Sequence, residues 1–220
     1  MNRKERLIKL KAIDIYPVTC QELSEGRTNL EVLAAVLAGG AKIIQLREKH
    51  WDKKDIYELA VEFRKHTRSH NALFIINDHV DVALAAGADG VHLGQEDLPI
   101  AAARNIAPEL IIGASSHNLA EALKAEQDGA DYVNIGPIFP TKTKANTVRF
   151  LGPEAIAEIG PQLKVPFTTM GGIHPDNISM VLNAGARRVA MITGITRAQD
   201  IAARVRHLRK TITDYVNRCH

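Results

Sequence analysis

Gly87-Ala88-Asp89-Gly90-Val91 is one of four related segments in this chain. The others are Gly40-Ala41-Lys42-Ile43-Ile44, Gly129-Ala130-Asp131-Tyr132-Val133 and Gly185-Ala186-Arg187-Arg188-Val189. Each follows a helix-like stretch and leads into a short apolar run. The glycine suits a left-handed helix C-cap. The apolar run suits a parallel strand buried on both faces. The glycines are 47, 42 and 56 residues apart, which is two βα units per interval. A further apolar run lies within each interval: Ala72–Ile76, Ile111–Ala114 and Val165–Met170. Another, Ile13–Val18, precedes the first copy. Four copies and four additional runs give eight strands.

The helices between them are legible. Asp55 to His66 carries Ile56, Leu59, Ala60 and Phe63 at helical spacing. Asn118-Leu119-Ala120-Glu121 reads as a capping box. Pro175 and Asp176 open a helix before Ile178, Val181 and Leu182, and Ala198 to Val216 forms the last one. Eight strands alternating with helices point to an α/β chain folded as a (β/α)8 TIM barrel, a single domain over residues 1–220 with residues 1–12 as an N-terminal extension or helix. The rival is a doubly wound open sheet. The first turn lacks the G-x-G-x-x-G that its dinucleotide-binding form requires.

The chain has 220 residues, 45% hydrophobic and 24% charged, ordinary for one globular core. Its net charge of +3 is too small to argue for nucleic acid and suits a site that gathers phosphates. Two cysteines, Cys20 and Cys219, do not make a disulfide framework and read as free thiols. Lys9 and Lys11 interrupt any apolar signal core, and no run reaches the roughly 20 apolar residues of a membrane span. The expectation is a cytoplasmic protein without membrane or nucleic-acid partners. Whether it forms a homo-oligomer is left open.

In a barrel the site lies on the loops after the strands. Period-2 alternation after Ile43 puts Gln45, Arg47 and Lys49 on one face, with Ile44 and Leu46 on the other. An inward basic row at a strand end is costly unless an anion, or an internal salt bridge, meets it. Asn77-Asp78 follows the third strand, and Asp97 comes 19 residues after Asp78, past the fourth. Closure of the barrel brings both carboxylates to the face that carries Arg47 and Lys49. Together they suggest Mg²⁺ bridging the protein to a diphosphate. The alternative for Asp78 is a helix N-cap. His92 is expected to be a core histidine bonded to a backbone group. Ser115-Ser116-His117 follows the fifth strand, where Ser115 is a candidate substrate ligand and the plainer role is helix capping. Asn134-Ile135-Gly136-Pro137-Ile138-Phe139-Pro140-Thr141-Lys142-Thr143-Lys144 opens a long polar stretch that continues to Gly152. Loops of that length in a compact barrel are usually functional lids, and its threonines and lysines suit phosphate oxygens. Gly171-Gly172 and Thr193-Gly194 stand on the loops after strands seven and eight, the usual phosphate site of such barrels.

Several of these segments resemble the thiamine-phosphate synthase family. They are Gln45-Leu46-Arg47-Glu48-Lys49, Ile76-Asn77-Asp78, Gly90 to Asp97, Gly136 to Lys144, and Gly171-Gly172-Ile173 with Pro175. The resemblance runs from about Tyr16 to Thr193. It implies that hydroxymethylpyrimidine diphosphate and thiazole phosphate are joined with release of pyrophosphate. In such a reaction the C–O bond breaks first and the thiazole nitrogen captures a pyrimidine methyl cation. It further implies Mg²⁺ on Asp78 and Asp97. Arg47, Lys49, Asn77 and Lys144 would clamp the diphosphate, with Gln45 and Ser115 assisting. Thr141, Thr143, Gly172 and Thr193 would hold the thiazole phosphate. Arg47, Lys49, Lys144 and Ser115 would be the catalytic groups.

The chain departs from the family pattern at Asn134, where glycine is usual, and at Cys20, where aspartate is common. Thr168-Thr169-Met170 is also more polar than usual. These positions bear on pyrimidine or thiazole preference rather than on the metal site. The competing functions are a thiazole tautomerase using His117 as acid or base, a non-catalytic phosphate-ligand sensor, and a phosphate-binding isomerase.

Overall fold

The computed structural model describes residues 1–141 and 150–218. Lys142, Thr143, Lys144 and Cys219 lie outside them. The strands are β1 (Ile15–Pro17), β2 (Ile43–Leu46), β3 (Leu73–Asn77), β4 (Gly90–Leu93), β5 (Ile111–Ser116), β6 (Tyr132–Ile135), β7 (Phe167–Thr169) and β8 (Val189–Met191). The helices are α1 (Arg3–Lys11), α2 (Asn29–Ala38), α3 (Lys53–Ser69), α4 (Val80–Ala85), α5 (Ile100–Ile106), α6 (Leu119–Gln127), α7 (Glu154–Ile159), α8 (Ile178–Asn183), α9 (Thr193–Thr196) and α10 (Ile201–Arg218). All strand pairs are parallel and run in the order β1-β8-β7-β6-β5-β4-β3-β2. A parallel bridge between Val18 and Gln45 joins the two ends of that order, so the sheet closes as a (β/α)8 barrel.

The four repeat glycines, Gly40, Gly87, Gly129 and Gly185, all have positive φ, between 63° and 108°. Each ends a helix in the left-handed region and turns the chain into a strand, as the repeat implied. Strand alternation then sorts the core into two layers. Ile44, Phe74, Val91, Ile112 and Val133 face the helices. Tyr16, Ile43, Leu73, Ile75, Ile111 and Tyr132 fill the barrel interior. Gly113 faces that interior, and a Cβ there would lie 2.1 Å from Cζ of Tyr132. Gly113→Ala should therefore cost about 1–3 kcal/mol through overpacking, read as a lower midpoint in chemical denaturation.

Two local expectations need correction. The Asn118 side chain accepts from Glu121 N, as a cap should. The reciprocal half is displaced by one residue, because the Glu121 carboxylate takes the backbone N–H of His117 rather than that of Asn118. It also holds His117 Nδ1 at 2.8 Å, and the added bond explains the shift. The helix foreseen at Pro175 starts later, at Ile178, with Asn177 as its cap residue. Asn177 Oδ1 instead accepts from His174 N, closing a turn ahead of the helix.

The bottom of the barrel is closed by α1. Its Arg6 reaches Asp89, and its Arg3 reaches Asp131 at 2.5 Å. Both aspartates belong to the repeat and are buried. Asp89 also pairs with Arg64 at 2.7 Å and accepts from Phe74 N at 3.0 Å. Asp131 likewise pairs with Arg104 and accepts from Ile112 N. The Asp of the repeat is thus a brace for the strand starts, at the end of the barrel opposite the strand C-termini. No helix among the described residues is long and apolar enough to cross a membrane.

Candidate active site

The upper ends of the strands surround one cavity. Gln45, Arg47, Lys49, Asn77, Asp78, Ser115, Thr141, Gly172 and Thr193 all line it. Asp97 stands beside it, and its Oδ2 accepts from the backbone N–H of Gly94, a lining residue, at 2.6 Å. Thr143 and Lys144 lie outside the described residues.

The basic row is held by the backbone around it. Arg47 N donates to Thr19 Oγ1 at 3.3 Å. Glu48 is buried behind the row and accepts from Gln21 N and Asn29 Nδ2 at 2.8 and 2.7 Å. Because Glu48 is tied outward, its neighbours Arg47 and Lys49 face the cavity. Lys49 forms an ion pair with Asp78. Arg47 makes no ion pair among the described residues, so a half-buried guanidinium is left to face the cavity. An uncompensated cation in that position favours an anionic ligand.

Asp78 is not a helix cap. The cap residue of α4 is His79, without a side-chain cap bond. Asp78 adopts φ 63°, a strained value for a residue other than glycine, though aspartate tolerates it better than most. Burial is the main force raising its carboxyl pKa, Lys49 opposes the rise, and the neighbouring Asp97 carboxyl adds to it. Two acids therefore share one half-buried spot, which a cation would stabilise.

His92 differs from expectation. Its Nδ1 lies 2.9 Å from the Tyr132 hydroxyl and its Nε2 lies 3.0 Å from Ser115 Oγ. Backbone groups around it are committed to the parallel ladder, so the inward ring meets side-chain hydroxyls instead. His92, Tyr16, Asn134 and Thr168 also line the cavity, and Thr168 Oγ1 donates to Asn134 Oδ1 at 2.9 Å. Sequence reasoning gave the tyrosines no site role, since each sits in an apolar run that looks like core. Their inward phase in the strand was the available signal.

The glycine pair has a second purpose. Gly171 and Gly172 have φ 105° and 62°. A Cβ on Gly171 would lie 2.5 Å from Pro137 Cβ, and one on Gly172 would lie 2.5 Å from Pro140 O. Ile138 N and Phe139 N donate to Met170 O and Gly171 O. The glycines thus seat the stem of the loop after β6 directly on the loop after β7.

Comparison with known proteins identifies the family. The profile of the family described as "Thiamine monophosphate synthase" matches residues 15–195. The chain belongs to the thiamine monophosphate synthase family. A curated thiamine-phosphate synthase of Pelotomaculum thermopropionicum is 44% identical over 214 residues, covering 97% of this chain and 98% of the relative. Another, from Pyrococcus abyssi, is 43% identical over 202 residues, covering 92% and 96%. The solved thiamine phosphate pyrophosphorylase of Pyrococcus furiosus superposes with a TM-score of 0.87 at 40% identity, covering 94% of this chain and 98% of that one. A solved 3-hexulose-6-phosphate synthase, 19% identical with a TM-score of 0.65, shares the fold. By family this chain is an enzyme, a thiamine-phosphate synthase. Every site residue foreseen from the sequence falls inside the matched thiamine monophosphate synthase span. The bottom-closing helix α1 lies before it.

Proposed function

We propose that this enzyme joins hydroxymethylpyrimidine diphosphate to thiazole phosphate, giving thiamine phosphate and pyrophosphate. The observation that carries the reading is the convergence of the Arg47 guanidinium with the Asp78–Asp97 pair over one cavity. In the reaction, the bond between the pyrimidine methylene carbon and the diphosphate oxygen breaks, and the oxygen keeps the electron pair. The lone pair of the thiazole nitrogen then forms the new C–N bond. No protein nucleophile is needed. The protein must neutralise the leaving group, align the two rings and exclude water from the cation.

The residues fit Mg²⁺ as the metal. Asp78 and Asp97 offer hard oxygen donors only. No cluster of three or more His, Cys, Asp or Glu able to hold a metal occurs among the described residues. A site with two carboxylates suits an ion that completes its shell with phosphate oxygens and water. When bound, Mg²⁺ would supply charge neutralisation at the diphosphate. Arg47, Lys49 and Asn77 bind that diphosphate in this reading, with Lys144 from the loop. Gln45 and Ser115 contact the pyrimidine diphosphate from below. Thr141, Thr143, Gly172 and Thr193 bind the thiazole phosphate. His117, the acid or base of a tautomerase, is tethered to Glu121 and has no task here.

The test is a coupled assay of the purified protein. Pyrophosphate should appear only with both substrates and Mg²⁺ present, and EDTA should stop it. No release with both substrates would sink the coupling reaction. Release that ignores EDTA would remove the metal from Asp78 and Asp97.

A further inference from the structure

At the floor of the cavity, five polar side chains, four of them lining it, form an unbroken line across the barrel. Gln45 Nε2 donates to the Tyr16 hydroxyl at 3.0 Å. The Tyr16 and Tyr132 hydroxyls are 3.0 Å apart. The Tyr132 hydroxyl lies 2.9 Å from His92 Nδ1, and His92 Nε2 lies 3.0 Å from Ser115 Oγ. Only the two ends, Gln45 and Ser115, have a task in the reaction above. The middle three do not.

The protons in this line can be counted. Each hydroxyl has one, and a neutral imidazole has one N–H. The Tyr16 oxygen already receives the Gln45 amide proton. Its own proton needs an acceptor at a place only 1% exposed, and the Tyr132 oxygen is the neighbour that can supply it. The Tyr132 proton then goes to its next neighbour, His92 Nδ1. That leaves the imidazole proton on Nε2, where it is donated to Ser115 Oγ. The Ser115 proton must point elsewhere, and Ser115 lines the cavity. The opposite order would aim two donors at the Tyr16 oxygen. It would bury the Tyr16 proton without an acceptor, at about 1–3 kcal/mol.

The packing holds the line in place. The His92 ring stacks on Tyr132, with centroids 5.5 Å apart and planes at 29°. Tyr132 meets Tyr16 edge to face at 6.1 Å. Burial pushes both phenols well above their ordinary range, so both keep their protons.

We infer that Tyr16, Tyr132 and His92 are positioning residues: they fix Ser115 as a hydrogen-bond donor to the cavity and bind that role to the orientation of the Gln45 amide. With Gln45 Nε2 committed to Tyr16, Oε1 is the atom left to accept from a ligand. Ser115 simultaneously gives its proton to an anion. A turned Gln45 amide would reverse every bond in the line and make Ser115 an acceptor. The two ends therefore cannot exchange roles independently. The inference rests on the synthase reading only in naming the diphosphate as the anion that Ser115 meets.

The test uses the full chain labelled with ¹⁵N-histidine, with His92→Ala to assign the ring signals. The expected tautomer has a bare Nδ1 and a protonated Nε2. Tyr132→Phe removes the proton that fixes it, and the His92 signals should then move towards a mixture of tautomers. In the coupled assay, Tyr132→Phe should lower kcat about tenfold and leave KM for thiazole phosphate unchanged. His92→Gln, which keeps an N–H donor near Ser115, should retain more activity than His92→Ala. A protonated Nδ1 in the parent protein, or an unchanged kcat in Tyr132→Phe, overturns the inference. A protein that releases no pyrophosphate at all would refute the proposed reaction, while the tautomer would still be decided by the ring signals.

Discussion

Asp78→Ala and Asp97→Ala should each abolish pyrophosphate release while thiazole phosphate still binds. The two carboxylates occupy one half-buried spot, and burial together with the neighbouring Asp97 carboxyl raises the cost of charging Asp78. A cation stabilises such a pair, and Lys49 already supplies part of that charge to Asp78. A bound metal contributes several kcal/mol to a departing diphosphate. At about 1.4 kcal/mol per tenfold, losing it reduces the rate on the order of 10³-fold. Alanine at position 78 adds a separate penalty, because φ is 63° there. Asp78→Asn avoids it, since asparagine tolerates that region. The rate measurement should therefore be made on Asp78→Asn as well, across a range of Mg²⁺ concentrations. Calorimetry with thiazole phosphate reports the intact second subsite. A loss smaller than tenfold in Asp78→Asn would show that the carboxylate charge is dispensable.

Asp89→Ala should produce the largest loss of stability. The Asp89 side chain is fully buried and neutralises both Arg6 and Arg64. It also accepts the Phe74 amide proton. Removing one member of a buried ion network costs about 3–5 kcal/mol, because the partners stay behind unpaired. For a chain of this size that corresponds to a fall in Tm on the order of 10 °C. Asp89→Asn keeps an acceptor for Phe74 N but loses the charge, so its Tm should fall between those of the parent and Asp89→Ala. Equal Tm values for the parent and Asp89→Ala in differential scanning calorimetry would show that the α1 brace contributes nothing.

The barrel was legible because its two layers leave plain marks. A parallel strand covered on both faces is a continuous apolar run, and a left-handed helix end calls for glycine. Both recur at the four repeat segments. The meeting of the basic row and the two aspartates at one end of the barrel was legible because strand alternation and closure fix which strand-end side chains share a face. Bonds between distant strands left no such mark. Nothing local to Tyr16, Tyr132 or His92 shows that their polar tips meet, since that depends on three strands coming into register. His92 is in the core as expected, but its hydroxyl partners were missed for this reason. Likewise Lys49 and Asp78, each read separately as ligands of a diphosphate and a metal, are also partners of one another. The aspartates of the repeat were noticed only as pattern. Their arginine partners on α1 lie 83 and 128 residues away.

Those separations have a consequence for how the chain is made. The helix that seals the barrel floor leaves the ribosome before its acceptors, which follow 83 and 128 residues later. At roughly 5–20 residues per second, it waits on the order of ten seconds for the second of them. Nine residues cannot hold a helix alone in water for that time. The floor must therefore close late, when more than half of the polypeptide has been synthesised. Until then its arginines and the aspartates awaiting them remain open to chaperones and proteases.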